Sequence, residues 1–435
     1  MNPRSRGWII VAVAAFVVWT GNAMTAAGAG GPWTEDQMLV AAETGESDYF
    51  GRAIASDGTT ALVGVVYDDE GSYGNAGSVC VFERSGDSWT QVDRLVASDY
   101  INSGFFGGSV AMSGDRAVIG AYGVSVKRGA AYNFVRGTSS WSEEQKLIAD
   151  DPAALDEFGY ASAIDGDTVV VGSYRADHSG YIDPGAAYVY TYSGATWNFE
   201  QKLVASDPGT DDFFGYKVAV SGDTAAVSSL QHNGTGAVYI FTRSGSVWTE
   251  QQKLTGSGGV DDGNFGVDLL LAGDTLVAGA STTDHSGLDN AGAVYVFERS
   301  GGTFGEVQRL IASEPQVDGN FGTGVALSGD TLLVGAAGHD LYGVANAGMA
   351  YLFTRSGGVW TERQKLMAGE REENARVGFD VALSPDVALA AAPWADVDLV
   401  VDAGAMCSYS YTAQLFADGF ESGDPSGWSG AIGGR

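Results

Sequence analysis

A Phe-Gly pair recurs along this chain at a nearly constant interval. Successive copies are separated by 56, 52, 56, 51 and 56 residues. The six copies begin at Phe50, Phe106, Phe158, Phe214, Phe265 and Phe321. A seventh copy, 56 residues further on, has Val377-Gly378 in place of Phe-Gly. Such self-similarity is typical of repeat proteins, in which each unit buries its apolar surface against its neighbours.

Two further markers keep the same register. A glycine begins an apolar segment in every unit: Gly77, Gly129, Gly185, Gly236, Gly292, Gly348 and Gly404. An aromatic residue marks each unit as well: Trp33, Trp89, Trp141, Trp197, Trp248, Phe304 and Trp360. Three markers in register over seven copies predict seven equivalent structural units.

Each unit has the pattern of four short strands. In the fourth unit we predict strands at 217–221, 224–229, 237–242 and 248–254. Glycine occupies the turns between them, where tight hairpins need a positive φ. The third strand is apolar on both faces, which is typical of a sheet packed between two others. The predicted fold is therefore all-β: a seven-bladed β-propeller of four-stranded antiparallel blades.

The N-terminal segment is predicted to close the ring. Residues 33–41 share the pattern of residues 360–368, a fourth strand, yet they precede the first Phe-Gly pair. The last unit has three good strands and a poor fourth. We therefore expect residues 33–41 to complete the seventh blade. A rival fourth strand would contain Phe416, but it agrees at one position rather than nine.

The two ends of the chain depart from the repeat. Arg4 and Arg6, an apolar run over 8–19 and small residues up to position 29 have the layout of a secretory signal peptide. Twelve apolar residues are fewer than the ~20 that span a bilayer. We predict a signal peptide over 1–29, a propeller over 30–411 and a tail over 412–435. Secretion to the periplasm, cell surface or medium follows from this division.

Charge excludes two classes of partner. The chain has 54 acidic and 23 basic residues, a net charge of −31. Such a surface repels nucleic acids and anionic membranes. No later apolar stretch is long enough to span a bilayer, so we predict no membrane span in the mature chain.

The order Phe-Gly, Val-Ala-x-Ser-Gly-Asp, Val-Gly-Ala, seen best in 321–336 and 106–121, resembles the FG-GAP repeat family. The resemblance covers residue 33 to about residue 411. It implies a propeller like the head of integrin α chains and of many secreted bacterial proteins, and it implies no particular activity.

The family's calcium loop, Asp-x-Asp-x-Asp-Gly, is missing between the first two strands. Tight turns such as Ser113-Gly114-Asp115 and Ser328-Gly329-Asp330 take its place. One carboxylate cannot supply the six to eight oxygens that Ca²⁺ prefers. We expect the aspartates of these turns to accept backbone hydrogen bonds instead. No cofactor is assigned with certainty, and Ca²⁺ bound by other loops stays open.

The acidic residues concentrate in two long loops per unit, which should share one face of the propeller. One loop joins strands two and three, and the other leads to the next blade. The candidate ligand-binding residues in them are Asp177, Asp183, Asp211, Asp212, Asp261, Asp262, Asp284 and Asp289. They could bind a cation or a cationic ligand, or simply form a solvated acidic rim.

Histidines and cysteines do not form an obvious site. All four histidines lie in loops between strands two and three of different blades: His178, His232, His285 and His339. Packed sheets stand about 10 Å apart, too far for one zinc ion to join equivalent positions. By the same argument Cys80 and Cys407, at equivalent positions of adjacent blades, should be two buried free thiols.

Three functions remain open. The first is a non-catalytic binding or adhesion module whose acidic loop face meets an extracellular protein or glycan. The second is an extracellular hydrolase or lyase that uses carboxylates of that face. The third is a scaffold module of a surface assembly. No nucleophile motif, phosphate-binding helix or selected carboxylate pair is present in the sequence, so no catalytic residue is predicted.

Overall fold

A computed structural model describes residues 33–43, 45–138, 140–258 and 263–411. Within these residues, 28 strands form seven four-stranded antiparallel sheets. The predicted propeller is therefore confirmed. The predicted signal peptide, the tail and the Phe416 alternative lie outside the described residues.

Six blades use four consecutive strands each, hydrogen-bonded in chain order. Blade 1 contains β2 (Phe50–Ser56), β3 (Thr60–Val65), β4 (Ser78–Ser85) and β5 (Ser88–Leu95). Blade 2 contains β6 (Phe106–Ser113), β7 (Arg116–Ala121), β8 (Ala130–Arg136) and β9 (Trp141–Leu147). Blade 3 contains β10 (Ala161–Asp165), β11 (Thr168–Ser173), β12 (Ala186–Ser193) and β13 (Thr196–Leu203).

The remaining blades follow the same plan. Blade 4 contains β14 (Phe214–Ser221), β15 (Thr224–Ser229), β16 (Ala237–Ser244) and β17 (Val247–Leu254). Blade 5 contains β18 (Leu269–Ala272), β19 (Thr275–Ala280), β20 (Ala293–Ser300) and β21 (Thr303–Leu310). Blade 6 contains β22 (Phe321–Ser328), β23 (Thr331–Ala336), β24 (Met349–Ser356) and β25 (Val359–Leu366). Blade 7 contains β26 (Val381–Leu383), β27 (Val387–Ala392), β28 (Ala405–Tyr411) and β1 (Trp33–Leu39).

In the described residues, helical structure is confined to two short turns, in the loops between strands two and three of blades 2 and 4. They are α1 (Val124–Lys127) and a 3₁₀ turn (His232–Gly234). Neither these nor any other helix in the described part of the chain is long and apolar enough to cross a membrane.

The N-terminal strand closes the ring, as predicted. It runs antiparallel to the last strand, with Trp33 opposite Tyr411 and Leu39 opposite Met406. A glutamine on each side holds it. The Gln364 amide accepts a hydrogen bond from the Trp33 N–H at 3.2 Å and donates one to its carbonyl at 2.6 Å. Gln37 makes the same pair of bonds with the backbone of Trp89.

This glutamine pair is a property of the whole ring. In four further junctions a glutamine on the fourth strand bonds both backbone groups of the next aromatic marker. The pairs are Gln145–Trp197, Gln201–Trp248, Gln252–Phe304 and Gln308–Trp360. Asp93 occupies the corresponding position between blades 1 and 2. The N-terminal strand is thus a full member of the repeat.

The first strands of successive blades pack against one another around the central axis, where the Phe-Gly pairs lie. Each phenylalanine N–H, and that of Val377, donates to the carbonyl of the preceding blade at 2.9–3.1 Å. The acceptor residue directly precedes the marker glycine. A Cβ on any marker glycine would lie 1.9–2.4 Å from the carbonyl oxygen of its partner. The two sequence markers are therefore the two sides of one inter-blade contact.

The aspartates of the turns between strands one and two accept hydrogen bonds from two kinds of donor. Asp165 accepts the Gly222 N–H at 2.7 Å, as expected. The side chains of Asp223 and Asp330 each accept a bond at 2.7 Å from the guanidinium of Arg243 and Arg355. These arginines lie at the end of the third strand and extend over the neighbouring turn. The expectation of backbone hydrogen bonds was wrong at these positions, because it ignored this cation.

The two cysteines are buried and unpaired, as predicted. Burial raises the pKa of Cys80 to about 12 and the pKa of Cys407 well above its ordinary value. Both thiols are therefore protonated and shielded in the folded protein.

Deletion of residues 30–42 should open the ring. The change removes the pairing of β1 with β28, both glutamine pairs and the buried Trp33 and Leu39 side chains. Losing that burial costs on the order of 5 kcal/mol, so we expect the melting temperature to fall by about 6 °C or more. Deletion of residues 412–435 serves as the control. A melting temperature that matches the control in calorimetry would refute the closing role of β1.

Neither thiol should react in the folded protein. Because alkylation requires the thiolate, we expect iodoacetamide at pH 8 to leave the intact mass of the native protein unchanged. The same treatment in denaturant should add two carbamidomethyl groups. A denatured sample that takes up none would instead indicate a disulfide.

Candidate functional site

The two kinds of long loop lie on one face of the propeller, as predicted. Neighbouring loops are joined by backbone bonds, such as Ser103 N–H to Gly74 O at 2.8 Å and Phe105 N–H to Asn75 O at 3.2 Å. We call this side the long-loop face and the opposite side, formed by the short turns, the hairpin face. The first strand of each blade enters the central channel from the long-loop face.

Two of the candidate aspartates close their own loops. The Asp177 carboxylate accepts a bond from the N–H of Asp183 at 2.9 Å, and Asp284 accepts one from Asn290 at 2.9 Å. In three other blades an aspartate likewise accepts a bond from the N–H six residues later: Asp69 from Asn75, Asp340 from Asn346 and Asp396 from Asp402. These carboxylates therefore shape the loops between strands two and three.

The remaining candidates are spread over separate junctions. Asp212 is buried and accepts bonds from the Gly209 N–H at 2.6 Å and His232 Nδ1 at 2.9 Å. The Asp211 N–H donates to Ile182 O at 2.8 Å, which brings Asp211 beside Asp183. Burial, with Asp177 and Asp211 nearby, raises the pKa of Asp183.

Blade 5 carries a separate group. Asp289 accepts a bond from the Asp318 N–H through its carbonyl at 2.8 Å, and Asp284 lies in the same loop. Asp261 and Asp262 lie outside the described residues. The structure thus brings Asp177, Asp183 and Asp211 together but leaves Asp212, Asp284 and Asp289 elsewhere. In the described ranges, no three Asp, Glu, His or Cys side chains are arranged to hold a metal ion.

Each histidine bonds to residues near its own loop. His178 Nε2 contacts Gly185 O at 2.9 Å, and His285 Nε2 contacts Ser286 Oγ at 3.0 Å. His339 Nε2 lies 3.1 Å from Gln316 Nε2. Burial lowers the pKa of both His178 and His339. The histidines therefore contribute to loop structure in four different blades.

A continuous set of aromatic rings surrounds the mouth of the channel on the long-loop face. We call this set the aromatic bowl. It consists of Tyr49, Tyr67, Phe105, Tyr122, Tyr160, Tyr174, Phe213, Tyr216, Phe379 and Trp394. The rings form one chain of contacts that starts at Phe379, passes through Trp394 and Tyr49 and ends at Phe213. Centroids of successive rings in this chain are separated by 4.4–5.7 Å. All ten are partly exposed, so the bowl offers ring surface to solvent.

The bowl covers blades 7, 1, 2, 3 and 4 and stops there. Blades 5 and 6 have small or polar residues at the repeat positions that carry rings elsewhere. These residues are Asn264, Val267, Ser281, Asn320, Thr323 and Ala337. The bowl is therefore open on the side of blades 5 and 6, so the mouth of the channel is asymmetric although the seven blades are alike.

Three bowl residues have an unfavourable backbone conformation. Tyr49, Phe105 and Phe213 directly precede a Phe-Gly pair and have φ of 55°, 56° and 56°. Blades 5 and 6 have Asn264 and Asn320 at that position, with φ of 58° and 53°. Asparagine tolerates this left-handed region, whereas other L-residues lose about 1–2 kcal/mol in it. The repeat itself therefore does not require a ring there.

A glycine makes room for one ring. A Cβ on Gly108 would lie 2.5 Å from Cε1 of Tyr122. Other blades have side chains at this position, including Arg52, Tyr160 and Tyr216. Gly108 thus lets the Tyr122 ring lie against the first strand of blade 2.

Charged side chains form the floor of the bowl inside the channel. The Arg52 guanidinium lies over the Phe379 ring, 5.0 Å from its centroid. Lys217 Nζ pairs with Asp268 at 3.0 Å. Asp268 also accepts the Val325 N–H at 2.7 Å, and Asp380 accepts the Ile54 N–H at 2.8 Å. We call Arg52, Lys217, Asp268 and Asp380 the channel charges.

Burial in the channel shifts the proton affinities of these groups. It raises the pKa of Asp380 to about 6, with Asp268 adding to the shift and Lys217 and two backbone amides opposing it. Burial alone lowers the pKa of Lys217, but the two carboxylates outweigh it and raise that pKa. Burial also raises the pKa of Tyr122, Tyr174 and Tyr216, so their hydroxyls stay protonated.

Comparison with known families decides the classification. The model of the FG-GAP repeat matches residues 33–82, 89–134, 141–190, 197–241, 248–297 and 304–353. The chain belongs to the FG-GAP repeat family. No curated protein matches the sequence.

Solved structures share the propeller fold. A putative 6-phosphogluconolactonase from Bacteroides uniformis superimposes with a TM-score of 0.50 and 12% identity, over 73% of this chain and 85% of that one. A second putative 6-phosphogluconolactonase, from Bacteroides fragilis, gives 0.50 and 12%, over 76% and 86%. At this identity the likeness concerns the fold alone.

Sequence reasoning missed the bowl of this FG-GAP propeller. The Trp and Tyr residues that recur at fixed strand positions are buried packing rings, such as Tyr188 and Trp248. The bowl residues occupy other positions, where the units differ from one another. Aligning the units on Phe-Gly would have revealed Tyr, Phe, Glu, Phe, Asn, Asn and Arg at the preceding position.

The raised pKa of Asp380 makes a prediction for Asp380→Asn. A protonated Asp380 stabilises the folded state fully below about pH 4, and this stabilisation is lost as the pH rises through about 6. Between about pH 4 and about pH 7, the free energy of unfolding of the variant should therefore rise by about 1–2 kcal/mol relative to that of wild type. The difference is smaller than the full pKa shift implies because solvent in the channel screens part of the effect.

Urea unfolding at a series of pH values measures this difference. Thr323→Ser, which changes a channel position without a titratable group, should differ from wild type by a constant amount. A constant difference for Asp380→Asn as well would contradict the burial of this carboxylate.

Proposed function

We propose that this protein is an exported, non-catalytic binding or adhesion protein and that a glycan occupies the aromatic bowl. The supporting observation is the conformation of Tyr49, Phe105 and Phe213. Asparagine serves the same backbone position in blades 5 and 6 without strain. Strain of this kind persists where it has a use, and in three blades the strained residue places a ring at the mouth of the channel. Glu157 and Arg376 have the same conformation in the other two strained blades, with φ of 54° and 58°. Their side chains contact bowl rings, since Glu157 accepts the Tyr174 hydroxyl and Arg376 lies over the Trp394 ring.

The exposure of the bowl supports a ligand. Ten neighbouring rings remain partly open to water, although burying aromatic surface is favourable. Contiguous exposed apolar surface in a soluble protein is typical of an interaction site. Because the bowl lies at the axis, its walls come from five blades that the ring holds in fixed positions.

The residue types favour a glycan over a flat protein surface. Sugar rings have apolar C–H faces that cover aromatic rings, and hydroxyl edges that need directional hydrogen bonds. The bowl supplies both, since tyrosine hydroxyls and the Arg52 guanidinium accompany the rings. A concave site with aromatic walls and a few polar groups suits a small ligand or one segment of a chain.

A binding role accounts for the channel carboxylates better than catalysis does. Asp268 pairs with Lys217 and accepts the Val325 N–H. Asp380 accepts the N–H groups of Ile54 and Val381. These bonds hold both carboxylates against the channel wall and orient their oxygen atoms toward backbone amides. A general base would need a free oxygen within hydrogen-bond reach of the substrate.

Export forms a separate part of the proposal. It depends on the signal peptide pattern over 1–29 and on the acidic composition, which suits a soluble extracellular protein. Sequencing the N-terminus of protein recovered outside the cytoplasm tests it. A mature chain that begins near residue 30 supports export, and an intact N-terminus with cytoplasmic recovery contradicts it.

Phe105→Asn and Phe213→Asn should each weaken glycan binding without unfolding the propeller. Relief of the left-handed strain offsets the lost ring contacts, so we expect the free energy of unfolding to stay within about 1 kcal/mol of wild type. Binding to a printed glycan array should fall about tenfold or more, because each variant removes a stacking surface.

The matched control is Phe199→Asn, which removes a ring that is 39% exposed on an outer strand. It should leave array binding unchanged. Wild-type protein that binds no glycan, or binds a polypeptide through the same residues, would overturn the proposed ligand class.

A further inference from the structure

Arg52 differs from Lys217 and Asp268, which pair with each other, because it has no ionic partner among the described residues. Its guanidinium forms no hydrogen bond or ion pair with any residue that the structure describes, and its packing partner is the Phe379 ring. By contrast, Lys217 is paired with Asp268, and Arg243 and Arg355 on the hairpin face are paired with aspartates. The guanidinium donors are therefore available.

The position of Arg52 makes it accessible from the bowl. The groups that act on it most strongly through electrostatics are Tyr160, Tyr216 and Tyr122, followed by Asp380. Three of these are bowl residues from blades 2, 3 and 4, whereas Arg52 comes from blade 1. The side chain therefore extends from its own blade toward the centre of the bowl. Arg52 is half-buried. Gly108, at the same position in the neighbouring blade, has no side chain of its own, and the Tyr122 ring lies there instead.

The groups that face Arg52 leave its guanidinium without a direct anionic partner. Asp380 acts on Arg52 electrostatically but makes no ion pair with it, and its carboxylate is held by two backbone amides. Asp268 is neutralised by Lys217. The tyrosine hydroxyls carry no charge. A ligand that covers Arg52 removes water from a guanidinium, and this is costly unless the ligand supplies an acceptor.

A carboxylate is the acceptor that suits this geometry best. The planar guanidinium binds a carboxylate through two parallel hydrogen bonds, and such charged pairs are about twice as strong as neutral ones. A neutral sugar hydroxyl would satisfy one donor and leave the charge exposed. The rings on either side can at the same time cover the faces of the sugar that carries the carboxylate.

We propose that the bowl recognises a sugar residue bearing a carboxylate and that Arg52 binds this group in a bidentate manner. This proposal rests on the glycan-binding function proposed above and names the class of ligand. The net charge of −31 limits the choice further. It repels a polyanion at distances up to the Debye length of about 8 Å, so the ligand carries an isolated carboxylate, such as a terminal uronic acid.

The test uses pairs of oligosaccharides on one array, identical except that the terminal residue is glucuronic acid or glucose. Wild-type protein should bind the acidic member at least about tenfold more tightly, the range expected for a hydrogen bond to a charged group. Arg52→Gln should bind both members equally, and Arg52→Lys should retain part of the preference. Arg363→Gln, a change at an exposed outer-strand arginine, should behave as wild type.

The outcomes separate the two proposals. Equal binding of both members by wild type overturns the role of Arg52 and leaves glycan binding intact. A preference for the acidic member that survives in Arg52→Gln also overturns it. Absence of binding to every oligosaccharide overturns glycan binding itself. Tighter binding of an extended polyuronate than of the singly charged probe contradicts the isolated carboxylate.

Discussion

The contact between each Phe-Gly pair and the marker glycine of the preceding blade underlies the rest of this structure. It is one backbone hydrogen bond of 2.9–3.1 Å, repeated at all seven junctions. The bond needs backbones so close that a side chain on the marker glycine has no room. Blade spacing at the axis is therefore set by main-chain atoms. Residues that point into the channel are left free to vary.

The outer rim is held in a different way, and the difference explains how the ring closes. There, glutamine side chains on the fourth strands bond to the backbone of the next blade at six junctions. The N-terminal strand takes part in two of these junctions. Closure between the two ends of the chain thus uses the same bonds as every other junction, and blade 7 needs no special interface.

Most of the fold could be predicted from the sequence because the residues that hold the blades together recur at a fixed spacing. The spacing of Phe-Gly, glycine and tryptophan gave seven blades, and the similarity of 33–41 to 360–368 placed the closing strand. The site could not be found in this way. Search by residue type led to the aspartates, but Asp177 and Asp284 bond to their own loops. Their recurrence reflects loop structure, which any repeat would preserve.

In a repeat protein, the informative positions are those where one unit departs from the others at a physical cost. Asn264 and Asn320 show what the backbone prefers before Phe-Gly, and Phe105 and Phe213 show a less favourable choice in the same conformation. The backbone does not require that choice, because the same conformation occurs without a ring in blades 3, 5, 6 and 7. The cost becomes understandable when the rings are considered together, since they converge at the axis only after seven separate segments have folded into one ring.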